Sequence, residues 1–240
     1  QLMGDEINEN DISNLEYFII PGIDIKSSIK ARDFSLAYPS KSYWSAGLHP
    51  HEADRLDDVK QELLSLMQDA DLIGETGLDY YRNLSSKENQ IKNFEFHINI
   101  AEDLNKPLII HCRDSFSDVF DILSNKNLNN PIILHSWTGG NKWTKKFVEL
   151  GVYFSISGII TYDTAHDLQA AVTKIPTDKL LLETDVPYLA PQPFKGKRNN
   201  PTYIKYTGAK VAELIDLTPN ELSKITITNT NKVMNRENNE

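Results

Sequence analysis

Short apolar runs alternate with stretches of helical periodicity along most of the chain. Leu180-Leu181-Leu182 leads into Glu183-Thr184-Asp185-Val186-Pro187. Three leucines in a row read as a strand buried on both faces, as in a parallel sheet covered by helices. Leu72-Ile73-Gly74 runs into Glu75, Leu108-Ile109-Ile110 into His111, and Ile132-Ile133-Leu134 into His135. Three further runs, Tyr17 to Ile20 closed by Pro21-Gly22, Tyr43 to His49, and Val152 to Ser155, complete a set of seven expected strands. A carboxylate at the end of a buried strand is costly unless something positive meets it. Four runs ending in Glu75, His111, His135 and Asp185 therefore form a constellation.

Between the strands the apolar period changes to that of a helix. Ser27 to Tyr38 reads as one, and Leu56, Val59, Leu63 and Met67 mark the next. Ser85 followed by Glu88 forms a capping box that opens a helix lined by Ile91, Phe94, Ile98 and Ala101. Phe116 to Leu123 and His166 to Lys174 are short helices, and Trp143, Phe147 and Leu150 mark one stopped by Gly151. Thr218-Pro219-Asn220-Glu221 combines a capping box with Pro at the first helical position and opens the last helix. Residues 1–16 read as irregular and residues 235–240 as a frayed tail, with no repeat or linker dividing the single domain expected over 1–240.

Strand and helix alternate, which means a parallel sheet, open or closed into a barrel. Ligand-type residues on four separate strands favour the barrel, whose site gathers at one mouth, over an open sheet with a single crevice. The fold class is thus α/β, of the TIM (β/α)8-barrel type, and the seven strands are one short of eight.

Length and composition agree with this architecture. The 240 residues are 40% hydrophobic and 25% charged, enough for one barrel core. Apolar runs fall short of the roughly 20 residues of a bilayer span, and the start lacks the pattern of a signal peptide. Cys112 is the only cysteine, which excludes an internal disulfide and fits a reducing compartment, the cytoplasm or a eukaryotic nucleus. A net charge of −9 argues against gripping nucleic acid through a broad basic face, but not against local phosphate binding by metal ions and a few Lys or Arg. A monomer without an obligate protein partner is expected.

Imidazole and carboxylate are ligands for zinc and similar divalent ions. A carboxylate has two oxygens and can bridge two such ions, one of which acidifies water while both stabilise charge on a phosphate or carbonyl oxygen. Taken singly, a His after an apolar run can be a satisfied core histidine and an Asp a helix cap. Together at four strand ends they point to a metal site.

The segment Ile73 to Tyr81 resembles the glutamate motif of the TatD-type metal-dependent deoxyribonucleases, a branch of the amidohydrolase-like TIM barrels. Pro107 to Ser115 is similar to that family's second motif, and Leu134-His135-Ser136-Trp137-Thr138-Gly139 to its third. Glu183 to Pro191 together with Gly196 to Pro201 resembles its last, and Gly47-Leu48-His49-Pro50-His51 its Gly-x-His-Pro stretch. The likeness runs from about residue 17 to 233. It implies hydrolysis of phosphodiester bonds in DNA with one or two divalent ions, Mg, Mn or Zn. It makes Glu75 the bridging ligand, His111 and His135 ligands of one ion, and Asp185 a ligand of the other and a proton acceptor. It places His49 and Arg113 on phosphate, and Lys197 and Arg198 at the substrate mouth.

Two departures stand out. Ser136-Trp137 replaces the usual Cys-Phe, a change expected in a wall beside the metal. The His-x-His that most relatives carry on a first strand is absent, because placing His49 and His51 there would leave only five strands to follow. Residues before Gln1 are therefore expected in the natural protein. The second ion is left with carboxylates, a set that suits Mg²⁺ better than zinc. Two rivals remain. One is an amidohydrolase or lactonase on the same fold, although no strand end offers a Lys in place of Glu75. The other is a metal-depleted relative that binds nucleic acid or protein without turnover. His97 reads as packing or surface, His166 has no assigned role, and Cys112 reads as buried. Tyr80 and Tyr81 suit either base stacking or the rim of the core.

Overall fold

The computed structural model describes residues 9–126 and 129–235, without the side chains of Glu9 and Asn10. Two compact units divide it, the first Tyr17–Leu134 and the second formed by Gln1–Glu16 with His135–Glu240.

In the first unit, β1 (Phe18–Ile20), β2 (Ser42–Ala46), β3 (Leu72–Asp79), β4 (Leu108–Arg113) and β5 (Ile132–Leu134) pair in parallel in sequence order. Helices α2 (Ile25–Ala37), α3 (Leu56–Asp69), α4 (Lys87–Asp103) and α5 (Phe116–Ser124) alternate with them. Every residue of β2 and β3 is buried, as strands covered on both faces require. Leu63 and Met67 of α3, Phe94 and Ile98 of α4, and Leu72, Ile73, Leu78 and Leu108 of the sheet are all fully buried in its core. Full removal of such side chains from water is worth about 1.5–3 kcal/mol each.

In the second unit, β6 (Tyr153–Ile156) pairs in parallel with β7 (Leu180–Leu182). Helices α6 (Asn141–Glu149), α7 (His166–Val172), α8 (Ile204–Leu214) and α9 (Pro219–Val233) accompany them. The box Thr218/Glu221 caps α9 as expected, and Asn229 of α9 donates to Leu180 O at 2.8 Å, tying the helix to β7. A short helix α1 (Glu9–Ile12) lies in the stretch expected to be irregular. Residues 236–240, the expected frayed tail, are outside the described residues.

The α/β barrel class stands, with seven strands among the described residues. Some expectations change. β3 does not end at Glu75 but continues to Asp79, and β2 stops at Ala46, before His49. The helix expected from a Ser85/Glu88 box begins one residue later. Ser86 accepts from Asn89 N, while Ser85 is buried and donates to His51 O. Helix α8 carried no periodic signal, because it faces inward through small residues, Thr207, Gly208 and Ala212, around Val211. No described helix is long and apolar enough to cross a membrane.

Candidate metal centre

In the first unit, His111 lies between two acids of β3. Gly77 is its register partner, at φ +125°, and a Cβ there would strike the His111 carbonyl oxygen. Only glycine lets the strands close at this point. Glu75 and Asp79, two residues to either side, share its face. The imidazole spans them, with Nδ1 3.2 Å from Glu75 Oε1 and Nε2 3.1 Å from Asp79 Oδ2. His51 Nε2 meets the same Asp79 oxygen at 2.9 Å, and Asp79 Oδ1 accepts from Arg82 N at 2.8 Å. The Asp79 side chain is 1% exposed. Burial opposes its charge, but hydrogen bonds from His111, Arg82 N–H and His51 win and hold the carboxyl well below the usual carboxylate range.

His49 completes the group. It caps the 3-10 turn Pro50–Arg55, its Nδ1 accepting from His51 N at 3.2 Å, and its Nε2 lies 3.4 Å from Glu75 Oε1. Burial lowers its pKa, and Glu75 only partly opposes this, so the ring is neutral. The loop after β1 fixes both residues, for Gly22 O accepts from Glu75 N at 2.8 Å and Ile23 O from His49 N at 2.9 Å. Helix α4 secures the approach. Asn93 donates to Leu48 O at 2.7 Å, and the fully buried His97 accepts from Leu48 N at 3.0 Å. Ligand atoms of His49, Glu75 and His111 all lie within 4.8 Å of one another.

Hydrogen-bond roles test whether a cation fits. An ionised carboxylate only accepts, so His111 Nε2 must donate to Asp79. In a neutral ring, Nδ1 then turns its lone pair toward Glu75 Oε1, acceptor against acceptor at 3.2 Å. Either a second proton on Nδ1 or a cation between them resolves the conflict, and a donor to a buried acid on the far nitrogen is the usual support of a metal-ligating histidine. His49 is arranged oppositely. Its Nδ1 already accepts, so Nε2 carries the hydrogen and donates toward Glu75, a geometry suited to donation to an anionic oxygen.

The second unit repeats the first pattern. His135 follows β5, and its Nδ1 lies 3.0 and 3.1 Å from the two oxygens of Glu183, while Nε2 faces Asp185 Oδ1 at 3.9 Å. Donation to Glu183 again turns the Nε2 lone pair toward an acid. Asp185 stands three residues past β7 in the left-handed conformation, φ 59°. Asn199 shapes its loop, donating to Thr184 O at 2.5 Å and Tyr188 O at 2.6 Å.

The remaining sequence expectations are placed as follows. Arg113, at the end of β4, is exposed, as are Lys197 and Arg198 in the loop before Asn199. Trp137 lies two residues past His135. It is buried core, edge-on to Phe147 and Phe154 with centroids at 5.3 and 5.4 Å, and its Nε1 donates to Thr144. Cys112 is buried against Ser115, and burial pushes its thiol up to about 12, so it is inert. Asp79, Glu183 and Asn199 went unassigned in the sequence. Strand alternation from Glu75 through Gly77 was the signal that reaches Asp79.

Parallel βα units that carry acid–imidazole–acid arrays have the build of a metal-dependent hydrolase. The family profile described as TatD related DNase matches residues 3–235, and the chain belongs to that family. It is 34% identical over 225 residues to YabD of Bacillus subtilis, named an uncharacterized metal-dependent hydrolase, covering 91% of this chain and 87% of that protein. YcfH of Escherichia coli, named likewise, is 37% identical over 188 residues, covering 78% and 71%. The solved structure of the E. coli TatD homologue YJJV superposes with TM-score 0.85 at 25% identity, covering 92% of this chain and 86% of that one. A TatD family hydrolase from Entamoeba histolytica shares the fold with TM-score 0.84 at 20% identity, covering 99% and 93%.

Proposed function

We propose that this member of the TatD family of metal-dependent hydrolases cleaves phosphodiester bonds in DNA. The observation that carries the reading is the paired arrangement at His111 and His135. Each imidazole gives one nitrogen to one acid and turns the other toward a second acid. Glu75 and His111 would hold one divalent ion, and His135 and Asp185 would offer ligands likewise. A bound divalent ion supplies an acidified water and neutralises charge on the phosphate.

The chain's own residues do the rest. Asp79 and Glu183 fix the orientation of the two imidazoles. His49 Nε2–H, which faces Glu75 Oε1 at 3.4 Å, would transfer its hydrogen bond to a phosphate oxygen, and the exposed Arg113 guanidinium would bind another. Asp185, 27% exposed and so within reach of solvent, accepts the proton of the attacking water. Anionic substrate is favoured locally, since no acid lies between Asp185 and Glu213 while Lys195, Lys197, Arg198 and Lys205 do, Lys210 being paired with Glu213.

The test is nucleotide release from single- and double-stranded DNA with Mg²⁺, Mn²⁺ or Zn²⁺, beside Glu75→Ala. Cleavage that needs an added ion and disappears in the variant is expected. Cleavage persisting in Glu75→Ala removes the residue assignment, and no cleavage with any ion removes the nuclease reading.

A further inference from the structure

The loop after β3 holds a feature that neither array uses. Its backbone is pinned, with Tyr80 N donating to Arg113 O at 3.0 Å, Arg82 N to Asp79 Oδ1 at 2.8 Å and Asn83 N to Asp79 O at 3.3 Å. The two tyrosines in it differ. Tyr80 is half-buried and committed, its hydroxyl donating to Asp118 at 2.8 Å and its ring lying under Lys87 Nζ at 4.8 Å. Tyr81 is 60% exposed, and the Arg113 guanidinium carbon sits 3.9 Å from its ring centroid. Leu84, three residues on, is 63% exposed. Of the four large hydrophobic side chains exposed among the described residues, two thus belong to this one loop.

An aromatic ring held rigidly in water adds little to the core. Arg113 covers one face of Tyr81, and the ring's exposure leaves the other face to solvent. A guanidinium stacked by its face keeps its N–H donors directed outward in its own plane, where they match a phosphate. Arg113 also follows His111 by two residues on β4, so both side chains leave the same face of the strand, about 7 Å apart. We infer that Tyr81 and Arg113 form a nucleotide clamp beside the Glu75–His111 array. An unstacked base lies on the open face of Tyr81, and its phosphate meets the edge of Arg113. This rests on the nuclease reading above and deepens it, naming single-stranded or locally opened DNA as the form held. Stacking accepts any base, so the clamp carries no sequence preference.

The test compares KM for a single-stranded oligonucleotide with KM for a strand of equal length and charge bearing abasic sites, in the full chain and in Tyr81→Ala, Tyr81→Phe and Tyr81→Trp. The intact chain should favour the base-bearing strand by about 5- to 150-fold. Tyr81→Ala should lose that preference while melting as the parent does, and Phe and Trp should retain it. A preference surviving in Tyr81→Ala, or an intact chain that cleaves both strands with equal KM, overturns the clamp alone. An intact chain that cleaves neither strand overturns the nuclease reading and the clamp with it.

Discussion

Replacing Asp79 by Asn keeps the shape of the side chain and removes one acceptor. Asp79 receives three N–H groups, from His51 at 2.9 Å, His111 at 3.1 Å and Arg82 N at 2.8 Å. Asn has one oxygen and one NH₂ group. If its oxygen faces the imidazoles, the NH₂ opposes Arg82 N–H and a buried donor goes unmet, at a cost of about 1–3 kcal/mol. If its NH₂ faces them, His111 must present a lone pair at Nε2 and carry its hydrogen on Nδ1, on the side of Glu75. That hydrogen occupies the position a metal ion needs. Either orientation weakens the site, and loss of such a supporting acid typically lowers metal affinity about 10- to 100-fold. The assay is calorimetric titration of metal-free protein with Mn²⁺ or Zn²⁺, with thermal unfolding as a check on folding. Unchanged affinity in a folded Asp79→Asn protein would refute the argument that Asp79 sets the His111 tautomer.

Other outcomes follow from the same geometry. Glu183→Gln should lower metal affinity by a similar factor through His135, and calorimetry of a folded variant that shows no change would remove its orienting role. His97 is fully buried and burial lowers its pKa to about 4, so the unfolded chain binds the extra proton between pH 6.5 and 4. Stability from this group is complete above pH 6.5 and falls by about 3 kcal/mol as pH drops to 4. Denaturant titrations should show a shallower fall in His97→Gln. Trp137→Ala empties a site 1% exposed and should destabilise by about 3–5 kcal/mol in denaturant unfolding.

Most strands were legible in the sequence because each contains a short, largely buried apolar run, and Glu75, His111 and His135 were legible as candidates because each interrupts or follows such a run. What escaped had weaker signals. Helix α8 buries Thr207, Gly208 and Ala212, small residues that leave no apolar period. The continuation of β3 past Glu75 was masked by Thr76 and by Gly74 and Gly77, the two glycines placed where the neighbouring backbone leaves no room for a Cβ. Gly74, at φ +116°, would drive a Cβ to 2.5 Å from Ile109 O. Asp79 and Glu183 escaped because their importance lies in which ring nitrogen they face, which spacing does not encode. The place of His49 beside Glu75 escaped, because a turn rather than the strand carries it.

The central claim is that cations resolve the facing acceptors at His111–Glu75 and His135–Asp185. Anomalous diffraction from crystals grown with Mn²⁺ tests it most directly. The account predicts Mn²⁺ bonded to His111 Nδ1 and Glu75, and Mn²⁺ bonded to His135 Nε2 and Asp185. Ordered Mn²⁺ elsewhere, with neither histidine coordinated at saturating ion, would contradict it.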